Sequence, residues 1–240
     1  SVLVTLNGPR AEVHDALVGG AHFEATLRGI RHLRKARIAV DGTIVVTRTN
    51  AALAGETVRL FASLGAKRIS FGRFSAAGYA LQRARELMPS PADIAIALES
   101  AADAARATGV KLVATMPLPP CVVDRARFPE VEFHDCPIGT REQEFALGPR
   151  GDLRHCTLHE GPAGGARDVL DPALDLEAVF APGDPDRYRA VLPAHCEGCA
   201  HASTCGGGCG AAAAWVHGDR SAPDPFVAWA ADKRRLPLVV

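Results

Sequence analysis

The sequence predicts an α/β protein whose first half alternates between strands and helices and whose second half is rich in cysteine. Apolar runs with the character of buried strands alternate with longer segments of helical periodicity as far as residue 116. Beyond that point prolines interrupt the pattern, and all seven cysteines lie in this second part. We therefore expect two domains, at residues 1–118 and 119–240.

Strands that alternate with helices favour a parallel sheet with right-handed crossovers. The first apolar run ends at the turn signal Asn7-Gly8-Pro9, Asn50 is placed to cap a helix, and Ser90-Pro91 is typical of a helix start. Asp41-Gly42 is also a hairpin signal, but a single strand fits better between two helices. The expected strands are 2–6, 38–46, 68–71 and 111–115, and the expected helices are 23–33, 53–64 and 91–108.

Less regular structure is expected in the second part. Pro117, Pro119 and Pro120 exclude a strand or helix at its start. Short apolar segments on either side of residues 148–151 predict a hairpin whose second arm carries Cys156. A short helix is expected at residues 211–216, immediately after the last cysteine.

The charge and cysteine content narrow the class of protein. The 240 residues include 27 acidic and 27 basic side chains, so the formal net charge is zero. That balance gives no electrostatic reason to expect a nucleic acid or a membrane as a partner. Seven cysteines with no export signal and no membrane-spanning run are typical of a cytoplasmic protein whose reduced thiols can bind metal. A disulfide framework is the alternative, and the odd count argues against it.

The cysteine spacing is the most informative pattern in the chain. One tight group has the spacing C-x2-C-x5-C-x3-C and consists of Cys196, Cys199, Cys205 and Cys209. Two cysteines separated by two residues can reach one ion or cluster from a single turn, and the glycines at 206–208 let the backbone fold closely around sulfur. A looser group lies upstream, where Cys136 is followed by fourteen residues, Gly151, four residues and Cys156.

This double spacing resembles the SPASM domain, the cysteine-rich C-terminal extension that holds auxiliary iron–sulfur clusters in a class of radical S-adenosylmethionine enzymes. The first half is similar to the barrel of the same family. Val4–Pro9, His14-Asp15 and Phe23–Leu27 resemble its fourth strand and the helix after it. Residues 45–50 resemble the end of the fifth strand, and residues 64–71 resemble the approach to the sixth. The resemblance implies the C-terminal half of a partial (β/α)6 TIM-like barrel followed by a SPASM domain.

In that family S-adenosylmethionine binds at the carboxyl ends of the barrel strands, where loops of any such barrel converge. The resemblance therefore implies cofactor-binding roles for Thr5, Asn7, Thr47 and Asn50. Arg73, at the end of the sixth barrel strand, is expected to face the site or to form an ion pair, and His14-Asp15 to fix a turn by hydrogen bonding. The C-x3-C-x2-C motif that holds the family's catalytic cluster is not in this sequence. We therefore expect the C-terminal portion of a larger enzyme, or one chain of a split enzyme completed by the missing barrel half.

The resemblance also implies two auxiliary clusters, either both 4Fe–4S or one of them 2Fe–2S. The first would take Cys136, Cys156 and Cys209, and the second would take Cys196, Cys199 and Cys205. Each is then one thiolate short of four. Asp224, in the string Asp-Pro-Phe-Val where relatives have a final cysteine, is the first candidate at the second site. Cys121 is the competing candidate at the first site, although the neighbouring prolines are expected to hold it away. The other oxygen or nitrogen candidates are Asp135, Glu142, His134 and His201.

The implied activity is radical modification of a peptide or protein, by thioether or carbon–carbon crosslinking or by side-chain oxidation. The implied partners are a peptide or protein substrate, a leader-peptide-binding protein and an electron donor such as flavodoxin or ferredoxin. A tetrapyrrole-processing enzyme and a non-catalytic metal-binding subunit are the alternatives. For the metal itself the alternative is zinc, because Cys196, Cys199, Cys205 and Cys209 could form an all-thiolate tetrahedral site.

Overall fold

A computed structural model describes residues 1–140, 143–149, 153–158 and 190–231 of the chain. Glu142 and Gly151, both singled out in the sequence, lie outside the described residues. The main feature is a sheet of five parallel strands in the order β1-β2-β3-β4-β5. The strands are β1 (Val2–Thr5), β2 (Val40–Val46), β3 (Arg68–Arg73), β4 (Lys111–Ala114) and β5 (Val131–Phe133). The predicted α/β class and parallel pairing are therefore confirmed.

Helices connect the strands and cover the sheet. Those of the first 118 residues are α1 (Ala11–Val18), α2 (Phe23–Lys35), α3 (Ala54–Ser63), α4 (Ala84–Leu87) and α5 (Pro91–Thr108). Helix α5 begins as predicted, because the Ser90 hydroxyl accepts the Asp93 N–H and the Asp93 carboxylate accepts the Ser90 N–H. This reciprocal cap satisfies backbone donors that the first turn leaves open. Gly109, in the left-handed region, ends the helix.

Close packing of helices on the sheet explains two glycines. A side chain at Gly42, inside β2, would lie within 2.8 Å of the Phe61 ring on α3. A side chain at Gly55 would lie 2.5 Å from the Ser100 carbonyl oxygen, where α3 crosses α5. Asp41-Gly42 thus belongs to a continuous strand rather than a hairpin turn, as the sequence analysis preferred. The core between these layers is aliphatic and aromatic, with Ile69 and Phe71 fully buried.

Three features differ from the sequence prediction. Helix α1 was not predicted, and it carries His14-Asp15, which was expected in a turn. The hydrogen-bonding role of the pair holds, since His14 Nδ1 accepts the Asn7 N–H and Asp15 Oδ1 accepts the N–H groups of His22 and Phe23. Strand β5 was missed because the prolines before it broke the pattern. Asn50 does not cap the following helix with its side chain, so that prediction was wrong.

The second part of the chain packs against the same core. The predicted hairpin is present as β6 (Ala146–Leu147) and β7 (Leu153–Arg154), with Cys156 two residues after β7. Three short helices follow: α6 (Ala202–Cys205), α7 (Gly210–His217) and α8 (Pro225–Ala231). Phe226, at the start of α8, is fully buried within the main hydrophobic core. The boundary predicted near residue 118 stays a prediction, and β5 continues the sheet beyond it.

At one edge of the sheet, β1 pairs with β2 alone among the described strands. Leu3 on β1 is 60% exposed. No helix in the described part of the chain is long and apolar enough to cross a membrane.

We predict that acid destabilises the packing of α1 through His14. Burial lowers the pKa of His14, so the unfolded chain binds the proton more readily than the folded chain. The stability contribution is complete above about pH 6.5, the unfolded pKa, and is lost as the pH falls through that value towards the lower folded pKa. When the pH is lowered from about 7.5 to about 5.5, the melting temperature of His14→Asn should fall less than that of the wild type. The asparagine amide oxygen can accept the Asn7 N–H, and it does not titrate.

The control is His32→Asn, at an exposed position on α2, which should follow the wild type. Melting curves from circular dichroism at both pH values measure the effect. An equal loss in wild type and His14→Asn would contradict the prediction.

Candidate metal centre

The segment that carries the tight cysteine group folds as a series of turns. A short 3₁₀ turn ends at Cys196, α6 ends at Cys205, and the three glycines at 206–208 all have positive φ between 64° and 95°. A side chain at Gly208 would lie 2.5 Å from Asp224 Oδ2, and one at Gly207 would lie 2.6 Å from Pro193. The glycines therefore meet both a backbone and a space requirement, as the sequence suggested.

Asp224 binds the backbone of this segment at Cys209. Its Oδ2 accepts the Cys209 N–H at 2.7 Å, and its Oδ1 accepts the Phe226 N–H at 2.9 Å. Oδ2 also accepts a hydrogen bond from Arg73 Nη2 at the end of β3, and both side chains of this ion pair are fully buried. Both carboxylate oxygens are thus engaged by protein donors. Metal ligation by Asp224 stays a prediction, and it would have to compete with these three bonds.

Arg73 makes two further contacts from its position on the sheet. Its Nε donates to the Pro117 carbonyl at 2.9 Å, and its guanidinium carbon lies 4.9 Å from the centre of the Phe226 ring. Of the two expectations for Arg73, the ion pair is the one observed. A buried charge needs such a partner, because desolvation of an isolated ion is costly.

Cys209, the last cysteine of the tight group, is buried beside this ion pair. Burial is the main cause that raises the pKa of its thiol to about 12, and the neighbouring carboxylate of Asp224 adds to the rise. Leu158, whose N–H donates to Cys156 Sγ at 3.3 Å, packs against the apolar cluster that contains Cys209, so the two cysteines lie on neighbouring segments. The Trp215 indole donates to the Leu158 carbonyl at 2.8 Å, which holds the Cys156 segment against α7. The structure therefore brings together two of the three thiols predicted for the first cluster.

Cys136, the third of that group, follows β5 and is half-buried. Its neighbour Asp135 forms an ion pair with Arg125. Asp135 and Arg125 both influence the pKa of Cys205, in opposite senses. The segment after β5, which carries Cys136, thus lies near Cys205 of the tight cysteine group.

The three thiols predicted for the second cluster line one pocket, and a fourth thiol joins them. The pocket has an empty volume of about 310 Å³, part of it open to solvent. Its cysteines are Cys121, Cys196, Cys199 and Cys205. His195 and His201 line it as well, and Asp224 is not among the lining residues. Cys121 was expected at the first site or held away by its prolines, whereas in the structure it lines the same pocket as Cys196, Cys199 and Cys205.

The donor set suits an iron–sulfur cluster, since clusters of this kind are held by four thiolates. Burial raises the pKa values of Cys121, Cys196 and Cys205. A thiol that binds metal loses its proton, so metal binding at these thiols would release protons. Among the described residues, no group of three or more His, Cys, Asp or Glu side chains is arranged to hold a single metal ion.

The predicted cofactor-binding residues meet at the carboxyl ends of β1 and β2. The Asn50 amide donates to the carbonyls of Asn7 and Val45 at 2.8 and 2.9 Å. Its oxygen accepts the N–H and hydroxyl of Thr47 at 2.7 and 3.0 Å. Asn50 therefore joins the ends of the two strands, a role that a helix-cap pattern hid.

The other two candidates have more capacity for a ligand. Asn7 Oδ1 accepts the Val45 N–H at 3.1 Å, and its side-chain NH2 has no partner among the described residues. Thr5 is exposed at the end of β1. Cofactor binding by Thr5, Asn7, Thr47 and Asn50 stays a prediction. Sequence reasoning did not identify the Arg73–Asp224 pair, because no local pattern relates positions 151 residues apart.

Comparisons with known proteins bear on the fold. No family model matches the sequence, and no curated protein matches it. Solved structures do. Native anSMEcpe with bound S-adenosylmethionine (AdoMet) has a TM-score of 0.62 at 14% identity, over 95% of this chain and 63% of that one. SuiB of Streptococcus suis has a TM-score of 0.63 at 14% identity, over 94% of this chain and 54% of that one.

The chain shares the fold of these two proteins. It spans less than two thirds of their length. A further structure of anSMEcpe, with AdoMet and the Cp18Cys peptide, has a TM-score of 0.57 at 15% identity, over 88% of this chain and 59% of that one. At these identities the likeness concerns the fold.

We predict that the Arg73–Asp224 ion pair is needed for stability. Asp224→Asn would leave the buried guanidinium without its counter-charge, and breaking such a pair costs about 3–5 kcal/mol. Asp103→Asn is the matched control, since it removes a surface ion pair with Arg106 in which both side chains are at least 60% exposed. It should change the free energy of unfolding by less than about 1 kcal/mol. Urea unfolding measures both, and a wild-type value for Asp224→Asn would contradict the prediction.

Proposed function

We propose that the chain is the C-terminal part of a radical S-adenosylmethionine enzyme that holds two auxiliary iron–sulfur clusters and modifies a peptide or protein. The observation that carries this proposal is the pocket at the carboxyl end of the sheet, lined by Cys121, Cys196, Cys199 and Cys205. It is supported by the double cysteine spacing and by the fold shared with two proteins that have been solved with S-adenosylmethionine. The chain spans only part of the length of these proteins, so the enzymatic activity of the whole protein is likewise proposed.

S-adenosylmethionine, when bound, would supply hydrogen abstraction, and the auxiliary clusters would supply electron transfer. The chain contributes the end of the sheet at which these groups meet. Asn50 holds the ends of β1 and β2 together through four hydrogen bonds. The side-chain NH2 of Asn7 and the hydroxyl of Thr5 are then available to donate to a ligand at this edge. Ligand sites of α/β barrels form where strand ends converge in this way.

The cysteine-rich segment, residues 190–231, contributes metal ligands and the surroundings of those ligands. Buried thiols in an apolar setting, next to the fixed charges of Arg73 and Asp224, define the dielectric and the local charge around a cluster. Both properties shift the reduction potential of iron–sulfur centres. The chain thereby determines how readily an electron leaves or enters each cluster.

A peptide or protein is the proposed substrate class. A related solved structure was obtained with a Cys peptide bound together with S-adenosylmethionine, which favours this class over a tetrapyrrole. The exposed edge of β1 supports the proposal that a further strand of the same barrel pairs there. An unpaired parallel edge is otherwise an aggregation hazard.

We predict that the protein, purified without oxygen, is brown and contains iron and acid-labile sulfide in equal amounts. Cys196→Ala should lower both by about one cluster of two, because Cys196 lines the second site and takes no part in the first. Thr204→Ala is the matched control, since Thr204 is exposed and lies beside Cys205 on the same short helix. It should retain the wild-type iron.

The measurement is iron and sulfide analysis together with the visible absorption spectrum. Colourless protein with stoichiometric zinc would contradict the proposed function. Retention of all iron in Cys196→Ala would contradict the assignment of the tight cysteine group.

A further inference from the structure

Cys121 lies outside both cysteine motifs, on the loop that leaves the sheet after β4. Pro117 lies three residues after Ala114, the last residue of β4, and its carbonyl accepts a hydrogen bond from Arg73 Nε. The next carbonyl, that of Leu118, accepts a hydrogen bond from Arg125 Nε at 2.9 Å. Two arginines thus anchor the backbone immediately before Pro119-Pro120-Cys121. The position of Cys121 is determined by the sheet rather than by the cysteine-rich segment.

The loop is also rigid on the other side of the cysteine. The N–H groups of Val122 and Val123 both donate to the Pro119 carbonyl, at 2.9 and 3.0 Å. Pro119 and Pro120 have a restricted φ, so the turn loses little conformational freedom on folding. These hydrogen bonds and the prolines hold the backbone at a position from which Cys121 lines the pocket, whereas the sequence predicted that the prolines would hold Cys121 away.

The pocket that Cys121 lines is also lined by Cys196, Cys199 and Cys205. These are the three cysteines of the tight group that are not assigned to the first cluster. The four thiols therefore face one shared space. Two histidines, His195 and His201, line the same pocket and are the alternative fourth ligands. Asp224, the candidate from the sequence, is fully buried and bound by Arg73 and two backbone N–H groups.

We propose that Cys121 supplies the fourth thiolate of the second auxiliary cluster, together with Cys196, Cys199 and Cys205. This inference rests on the proposed function, since it assumes that a cluster occupies the pocket. Cys121 would hold one iron of the cluster through its sulfur, and the thiol proton would leave to solvent. A cluster held in this way would connect the loop after β4 to the segment that carries Cys196, Cys199 and Cys205.

The count of cysteines adds a consequence for the first site. Seven cysteines are present in the sequence. If four belong to the second cluster, three remain for the first, and these are Cys136, Cys156 and Cys209. The second cluster is then fully thiolate-bound, with no iron open to a substrate, which suits electron transfer. Any open iron or oxygen ligand belongs to the first cluster.

The test compares single variants of the full chain, purified without oxygen, by iron content and electron paramagnetic resonance. Cys121→Ala should lose either about one iron or the whole second cluster. If the thiolates of Cys196, Cys199 and Cys205 still hold a three-iron cluster, the oxidised variant should show the signal of that cluster. His195→Ala and His201→Ala are the matched controls, since both residues line the same pocket. Both should retain wild-type iron and spectra.

Alkylation provides a second readout that does not depend on a stable variant. Cys121 is exposed, so a thiol reagent followed by mass spectrometry should modify it in protein stripped of iron by a chelator, at a pH high enough to form its thiolate. In the iron-loaded protein Cys121 should be protected. Modification of Cys121 in iron-loaded protein, with no change of iron in Cys121→Ala, would overturn this inference and leave the proposed function intact. Loss of iron in a histidine variant instead would assign the fourth ligand to that histidine. A wild-type protein without iron would overturn the proposed function itself.

Discussion

A buried ion pair between Arg73 and Asp224 joins the parallel sheet to the cysteine-rich segment, and the candidate metal centre depends on it. Arg73 stands at the end of β3 and holds two loops at once. Its Nε binds the Pro117 carbonyl, which positions the loop that presents Cys121. Its Nη2 binds Asp224, whose carboxylate holds the Cys209 backbone at 2.7 Å. Because an unpaired charge cannot remain in this interior at low cost, the pair fixes where the two parts meet.

The parallel sheet was predictable because its signals are local. Apolar strand cores, Gly109 at a helix end and the Ser90-Pro91 cap each follow from a few neighbouring residues, and the structure contains the elements that they indicate. Strand β5 escaped prediction because only three residues pair with β4 and prolines precede it. The role of Asn50 escaped for a different reason. A cap and a strand-end bridge use the same amide, and only the positions of distant carbonyls decide between them.

The candidate site divides along the same line. The spacing placed Cys196, Cys199 and Cys205 in one tight group with Cys209, and the family resemblance separated these three, which line one pocket. Spacing could not place Cys121, because its location depends on where β4 ends relative to a segment about 75 residues later, and chain topology decides that. From the sequence, the neighbouring prolines were expected to hold Cys121 away from the metal site. In the fold, Pro119, Pro120 and Cys121 line the pocket together. Asp224 was predicted from the sequence as a metal ligand of the second cluster, and its observed partners are Arg73 and backbone N–H groups.

Diffraction from crystals grown without oxygen, recorded on either side of the iron absorption edge, would locate iron–sulfur clusters at this end of the sheet. We expect strong iron density among Cys121, Cys196, Cys199 and Cys205, and separate iron density beside Cys156 and Cys209. A single zinc ion bound by Cys196, Cys199, Cys205 and Cys209, with no iron density, would contradict this expectation.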